Sequence, residues 1–168
     1  QYESMAGITR LEPSHRKDYL RSGINLIQAN INNIQINEAK EVIPMIDIQY
    51  TIETEQYGNK TGNRLFIPAN IFRKGFTTPD LKQRVQDIHI NYGYLDTDSI
   101  CLQIPEGYTI ESLPKTCQVT SSFGSFSSSL MIKDKEICII HRLLMHRGIY
   151  PKEIYKDFLE FRKQIAAQ

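Results

Sequence analysis

Residues 137–145 read Ile137-Cys138-Ile139-Ile140-His141-Arg142-Leu143-Leu144-Met145, an apolar run broken only by His141 and Arg142. A strand that stays apolar at both parities is expected in the centre of a sheet with both faces covered. An arginine inside such a strand needs a partner, because an unpaired buried charge is very costly. Arg142 is therefore expected in a structural ion pair or at a domain interface rather than in a ligand site.

Working outward, Lys133-Asp134-Lys135 is a tight turn, and Leu130 and Ile132 lie on the strand before it. Val119, Phe123 and Phe126 flank Gly124-Ser125 and mark the preceding hairpin. Tyr108 and Ile110 start a short strand that ends at Leu113-Pro114. Pro105-Glu106-Gly107 fits a type I turn with Pro second and Gly fourth. Ile100, Leu102 and Ile104 alternate with Cys101 and Gln103, after a polar Asp96-Thr97-Asp98 turn. Val85, Ile88 and Ile90 carry an earlier strand signal. Residues 69–84 form a long irregular loop of the kind that carries interactions.

Further upstream, Ile46, Ile48, Tyr50 and Ile52 alternate with polar residues, the period of a half-buried strand. With the Gly58–Asn63 turn cluster and Leu65-Phe66-Ile67, residues 44–68 read as one long hairpin. Ile34 and Ile36 alternate likewise. Two segments have helical period instead. Residues 13–30 open on Pro13 and place Leu20, Ile24, Ile27 and Ile31 on one stripe, weakened by Gly23. After Pro151, Ile154, Tyr155, Phe158, Leu159, Phe161 and Ile165 make the stripe of a C-terminal helix. Strands at intervals of roughly 8–12 residues with turns between them indicate an antiparallel sandwich. The expected fold is mainly β, a jelly-roll-like antiparallel β-sandwich with an N-terminal and a C-terminal helix. Residues 1–31 would form a connector and docking helix, and residues 32–168 the sandwich.

The composition narrows the partners. The 168 residues carry a net charge of +1 with basic and acidic groups interspersed, which argues against nucleic acid. No apolar run approaches the roughly 18–20 residues of a membrane span. The chain begins at Gln1 without an initiator Met or a signal peptide, so an excised portion of a longer protein is expected.

No assembled active site emerges. Cys101, Cys117 and Cys138 allow at most one internal disulfide and leave one cysteine over. Their positions inside β-type runs read as three small buried thiols rather than nucleophiles. His141 and His146 are five apart, a poor spacing for a metal pair on either a strand or a helix. Asp96 and Asp98 lack a calcium loop around them. Neither a catalytic residue, a metal ligand nor a cofactor is assigned. The aromatic candidates for stacking on a sugar or peptide are Tyr92 and Tyr94, which share strand parity.

The order of motifs from Asp98 onward carries a resemblance. Ile104-Pro105-Glu106-Gly107-Tyr108 leads to Leu113-Pro114, then Phe123-Gly124-Ser125-Phe126, Arg142, and Tyr150-Pro151 with Tyr155, Phe158 and Phe161. This resembles the C-terminal β domain, of unknown function, that follows a transglutaminase-like core in large bacterial envelope-associated proteins. Ile46–Tyr50 and Leu65–Pro68 look like its first half. The resemblance implies a non-catalytic accessory module, with catalysis belonging to an upstream core that this chain lacks. It implies that core as a partner, a periplasmic or cell-envelope setting, and an envelope protein or glycan as a further contact. Pro105, Gly107, Tyr108, Gly124, Arg142 and Tyr155 would then serve the fold. A glycan- or peptide-binding sandwich is the alternative.

Overall fold

The computed structural model describes residues 7–24, 26, 28–40, 45–68 and 84–166. The described residues are mainly β, with antiparallel sheets and two α-helices. It divides into two compact units, Gln1–Lys74 and Gly75–Gln168.

In the first unit a single 3-10 turn, Gly7–Arg10, precedes helix α1, Pro13–Ser22. Arg16 joins them, donating from its guanidinium to the carbonyls of Leu11 at 2.8 Å and Thr9 at 3.1 Å. The helix stops well short of residue 30. Gly23 and Ile24 donate to Leu20 and Arg21 in a closing turn, and the Arg21 guanidinium binds the carbonyls of Ile24 and Leu26. Those side-chain bonds hold the chain out of helix, so Ile24 and Ile31 reach the core from a loop and a strand. Ile27 lies outside the described residues.

Strand β1, Asn30–Ala39, pairs antiparallel with β2, Met45–Glu53. The register gains one residue on β1 between Asn32 and Gln35, and Asn33 there takes a φ of +53°. This bulge switches parity, so odd Ile31 and even Ile34 and Ile36 serve one core. That core joins Ile8, Leu20, Ile24, Leu26, Ala29 and Ile31, with Ile46, Ile48, Tyr50 and Ile52 packed against it. The expected hairpin over 44–68 is thus replaced by two: β1–β2, and a small one between β3, Asn59–Thr61, and β4, Arg64–Phe66. The expected boundary after residue 31 cuts through β1.

In the second unit β5, Ile88–Ile90, pairs with β10, Gly148–Tyr150. Val85 stands outside any strand and is exposed. The main sheet has the order β6-β9-β8-β7, all neighbours antiparallel. Its strands are β6, Tyr94–Gln103, β7, Cys117–Ser121, β8, Gly124–Lys133, and β9, Glu136–Met145. Asp96, Thr97 and Asp98 are inside β6 rather than in a turn, because they pair with Leu143, Arg142 and His141 of β9. The loop expected at 69–84 lies, up to residue 83, outside the described residues.

Two turns show their local chemistry. Tyr108 donates to Pro105 at 3.2 Å, and Gly107 takes φ +80° at the third position. The turn therefore spans Pro105–Tyr108 and is of type II, the type that wants Gly there, rather than type I one residue earlier. Residues 108–116 carry no strand, contrary to expectation. Between β8 and β9, Asp134 adopts φ +54° in a two-residue connection.

Helix α2, Tyr155–Ala166, follows Pro151 and a 3-10 turn, Lys152–Ile154. Its stripe of Tyr155, Leu159, Phe161 and Ile165 is buried with Ile88, Phe123, Phe126, Leu143 and Met145. Phe123 anchors this core from the β7–β8 turn. It is fully buried, with ring centroids 4.7 Å from Tyr150, 5.1 Å from Phe158 and 6.4 Å from Phe161. Its carbonyl accepts from His146 at 2.8 Å, and its amide donates to Ser121 Oγ at 3.2 Å. Gly124 beside it has φ +150°, and a Cβ there would collide with the Leu144 carbonyl. Only glycine lets β8 pass β9 at that point.

Candidate functional site

The register sorts the main sheet into two faces, because alternate residues of a strand point to opposite sides. Tyr94, Phe126, Leu143 and Met145 share the inner face with the aromatic core. Leu95, Thr97, Ser99 and Cys101 of β6 share the outer face with Cys138, Ile140, Arg142 and Leu144 of β9 and with Ser125, Ser127, Ser129 and Met131 of β8.

This arrangement overturns the expectation that β9 is covered on both sides. β9 is an inner strand, yet one face alone is buried: Ile139, His141, Leu143 and Met145. Arg142 is exposed on the other face, so its charge stays in water and needs no buried partner. The buried polar residue of β9 is His141, whose ring lies 5.8 Å from that of Phe126. Its register partners are Asp98 on β6 and Ser128 on β8.

The cysteines are also placed differently. Cys101 and Cys138 face each other in register, with Cα atoms 4.1 Å apart, and form a disulfide. They lie on the outer face, Cys101 exposed and Cys138 half-buried. Cys117 is the free one, half-buried against the aromatic core on the inner face. Two outer-face side chains crowd the disulfide. Cys138 Sγ is 3.7 Å from Glu136 Oε2, and Gln103 Nε2 donates to Glu136 Oε1 at 3.2 Å. The two sulfurs and a Glu136 oxygen all lie within 4.8 Å of one another. While oxidised, the pair has no thiolate to offer a metal.

The other expected site residues are scattered. Tyr92 is 82% exposed ahead of β6, whereas Tyr94 is half-buried against the core, so the two rings do not form one platform. Tyr155 is buried, with the Arg84 guanidinium 4.8 Å from its ring centre. Asp96 is half-buried and Asp98 exposed on β6. Burial raises the hydroxyl pKa of Tyr50 and Tyr57 in the first unit. The Tyr57 hydroxyl donates to the Pro68 carbonyl at 3.4 Å. Among the described residues no helix is long and apolar enough to cross a membrane.

The disulfide and the outer face could not be found by local pattern. Both depend on β6 lying beside β9, which are far apart in sequence. The available signal was the place of Cys101 and Cys138, each two residues from the strand ends Gln103 and Glu136, which a β6–β9 pairing aligns.

The second unit is an antiparallel β-sheet domain carrying a C-terminal helix, with a solvent-facing sheet surface. Residues 63–168 match the family described as a domain of unknown function with a solved structure, DUF3858, and the chain belongs to that family. Neither a curated protein nor a solved structure gives a significant match to the chain.

Proposed function

We propose that the chain is a non-catalytic accessory β-sandwich module that docks through the outer face of its main sheet. The observation that carries this reading is the apolar content of that open face. Leu95 and Leu144, paired across β6 and β9, are 48% and 37% exposed, and Met131 is 58% exposed. Neutral Ser and Thr side chains surround them, and charge is confined to Arg142 and the Lys133–Glu136 end. Flat surfaces with exposed apolar anchors in a polar surround suit protein contacts.

The proposed partner is a transglutaminase-like or cysteine-peptidase-like core of the parent protein, as the motif order in the sequence implies. An oxidising periplasmic or cell-envelope setting agrees with a disulfide on an exposed face. The experiment is a binding titration of the chain against that core. Leu95→Lys, Met131→Lys and Leu144→Lys together should abolish saturable binding while leaving the thermal unfolding of the chain nearly unchanged. Peptide hydrolysis or acyl transfer by the chain alone would end the accessory reading. Glycan or peptide binding is a second reading, favoured by the exposed ring of Tyr92. A Tyr92→Ala variant that loses affinity on a glycan or peptide panel would favour it.

A further inference from the structure

We propose that Cys101 is a thiol–disulfide exchange site, opened by a dithiol that approaches the outer face of the main sheet while that face is undocked. The two sulfurs of the bridge are not equivalent. Cys101 is exposed on β6, an edge strand of this sheet, whereas Cys138 is half-buried on the inner strand β9. Exchange requires the attacking thiolate to approach in line with the S–S bond, so access selects the sulfur attacked. The Glu136 carboxylate sits 3.7 Å from Cys138 Sγ and is held by Gln103, so an anionic thiolate is repelled most strongly from that side.

A thiolate of the dithiol bonds to Cys101 Sγ and the Sγ–Sγ bond breaks. The electron pair leaves on Cys138 Sγ, which takes a proton from water and has Glu136 Oε2 in place as acceptor for its S–H. The second thiolate of the reagent then attacks the reagent's own sulfur in the mixed disulfide and releases Cys101 as thiolate. Two electrons pass to the protein, and the dithiol becomes a disulfide. Cys117 takes no part. It lies on the opposite face of the sheet, and β8 separates its strand from β9. The reactant is a dithiol, either small or carried on a protein.

The test uses the intact, folded chain. Brief treatment with glutathione, a monothiol with no second thiol for the intramolecular step, followed by acid quenching and peptide mapping, locates the mixed disulfide before a second molecule resolves it. The expected adduct is on Cys101, by at least about tenfold over Cys138. Adduct on Cys138, or evenly on both, overturns the proposal, as does a bridge that opens only in denaturant. Glu136→Gln should raise the rate of opening by about two- to tenfold, since a negative charge beside the attacked bond is lost. An unchanged or lower rate contradicts the role of the carboxylate. Dithiothreitol and a Cys-x-x-Cys dithiol protein, compared at equal thiol, distinguish the source. Faster opening by one of them, with attack at Cys101, supports the site and identifies that class as its reactant.

Discussion

The two units bury different kinds of core. In Gln1–Lys74 the buried residues are aliphatic, Ile8, Leu20, Ile24, Leu26, Ala29 and Ile31, and the sheets there are two-stranded ribbons. In Gly75–Gln168 Phe123, Phe126, Tyr155 and Phe161 dominate, the sheet has four strands, and a disulfide joins two of them. A two-stranded ribbon is marginal alone and depends on what packs against it. A four-stranded sheet with an aromatic core and a covalent tie concentrates its stability in few residues. The lesson is that single substitutions should act very unequally in the two regions.

The largest expected effect is on Phe123→Ala. It removes the ring that touches Tyr150, Phe158 and Phe161, and should cost about 3–5 kcal/mol in guanidinium unfolding. A cost below about 1 kcal/mol would remove the basis for the contrast. Reducing the Cys101–Cys138 bridge comes next. A sequence separation of 37 corresponds to about 4 kcal/mol in the chain-entropy view, to be read from unfolding curves with and without reductant.

Ile31→Val in the aliphatic core should cost about 0.5–1.5 kcal/mol, since the methyl removed is one of many similar contacts. Arg142→Ala should stay within about 0.5 kcal/mol, as for an ordinary surface position. A loss of several kcal/mol would instead restore the buried ion pair expected from sequence.

The smallest effect appears in alkali and belongs to the first unit. Burial raises the Tyr50 and Tyr57 hydroxyls above their ordinary value of 10.0, so the unfolded chain releases these protons first. The stability they contribute is therefore complete below pH 10 and declines as pH rises through the folded values. Phenolate absorbance should show two tyrosines titrating late, and Tyr50→Phe should flatten the decline.

Strand periodicity made much of this fold legible. The run at 137–145, the strand carrying Leu130 and Ile132 and the C-terminal stripe all fall in real elements, because their patterns are local. What stayed hidden depends on single side chains or distant pairing. Arg21 ends α1 early by binding two carbonyls, and the extra residue at Asn33 changes which isoleucines share a face. The nine-residue run could not say which parity faces outward, because half-buried Ile140 and exposed Leu144 look the same in sequence as buried Ile139 and Leu143. That ambiguity made Arg142 look buried and gave no sign that His141 is the buried polar residue of the strand. The disulfide and the outer face required the register of β6 against β9, which no hairpin signal announces.

Docking through the outer face is the central claim, and side-chain footprinting by hydroxyl radicals tests it most directly. Leu95, Met131 and Leu144 are to be compared between the chain alone and the chain with the proposed transglutaminase-like core. Docking predicts strong labelling of all three in the chain alone and their joint protection with the core, with Tyr92 labelled in both. Equal labelling of the three residues in the two samples would contradict it.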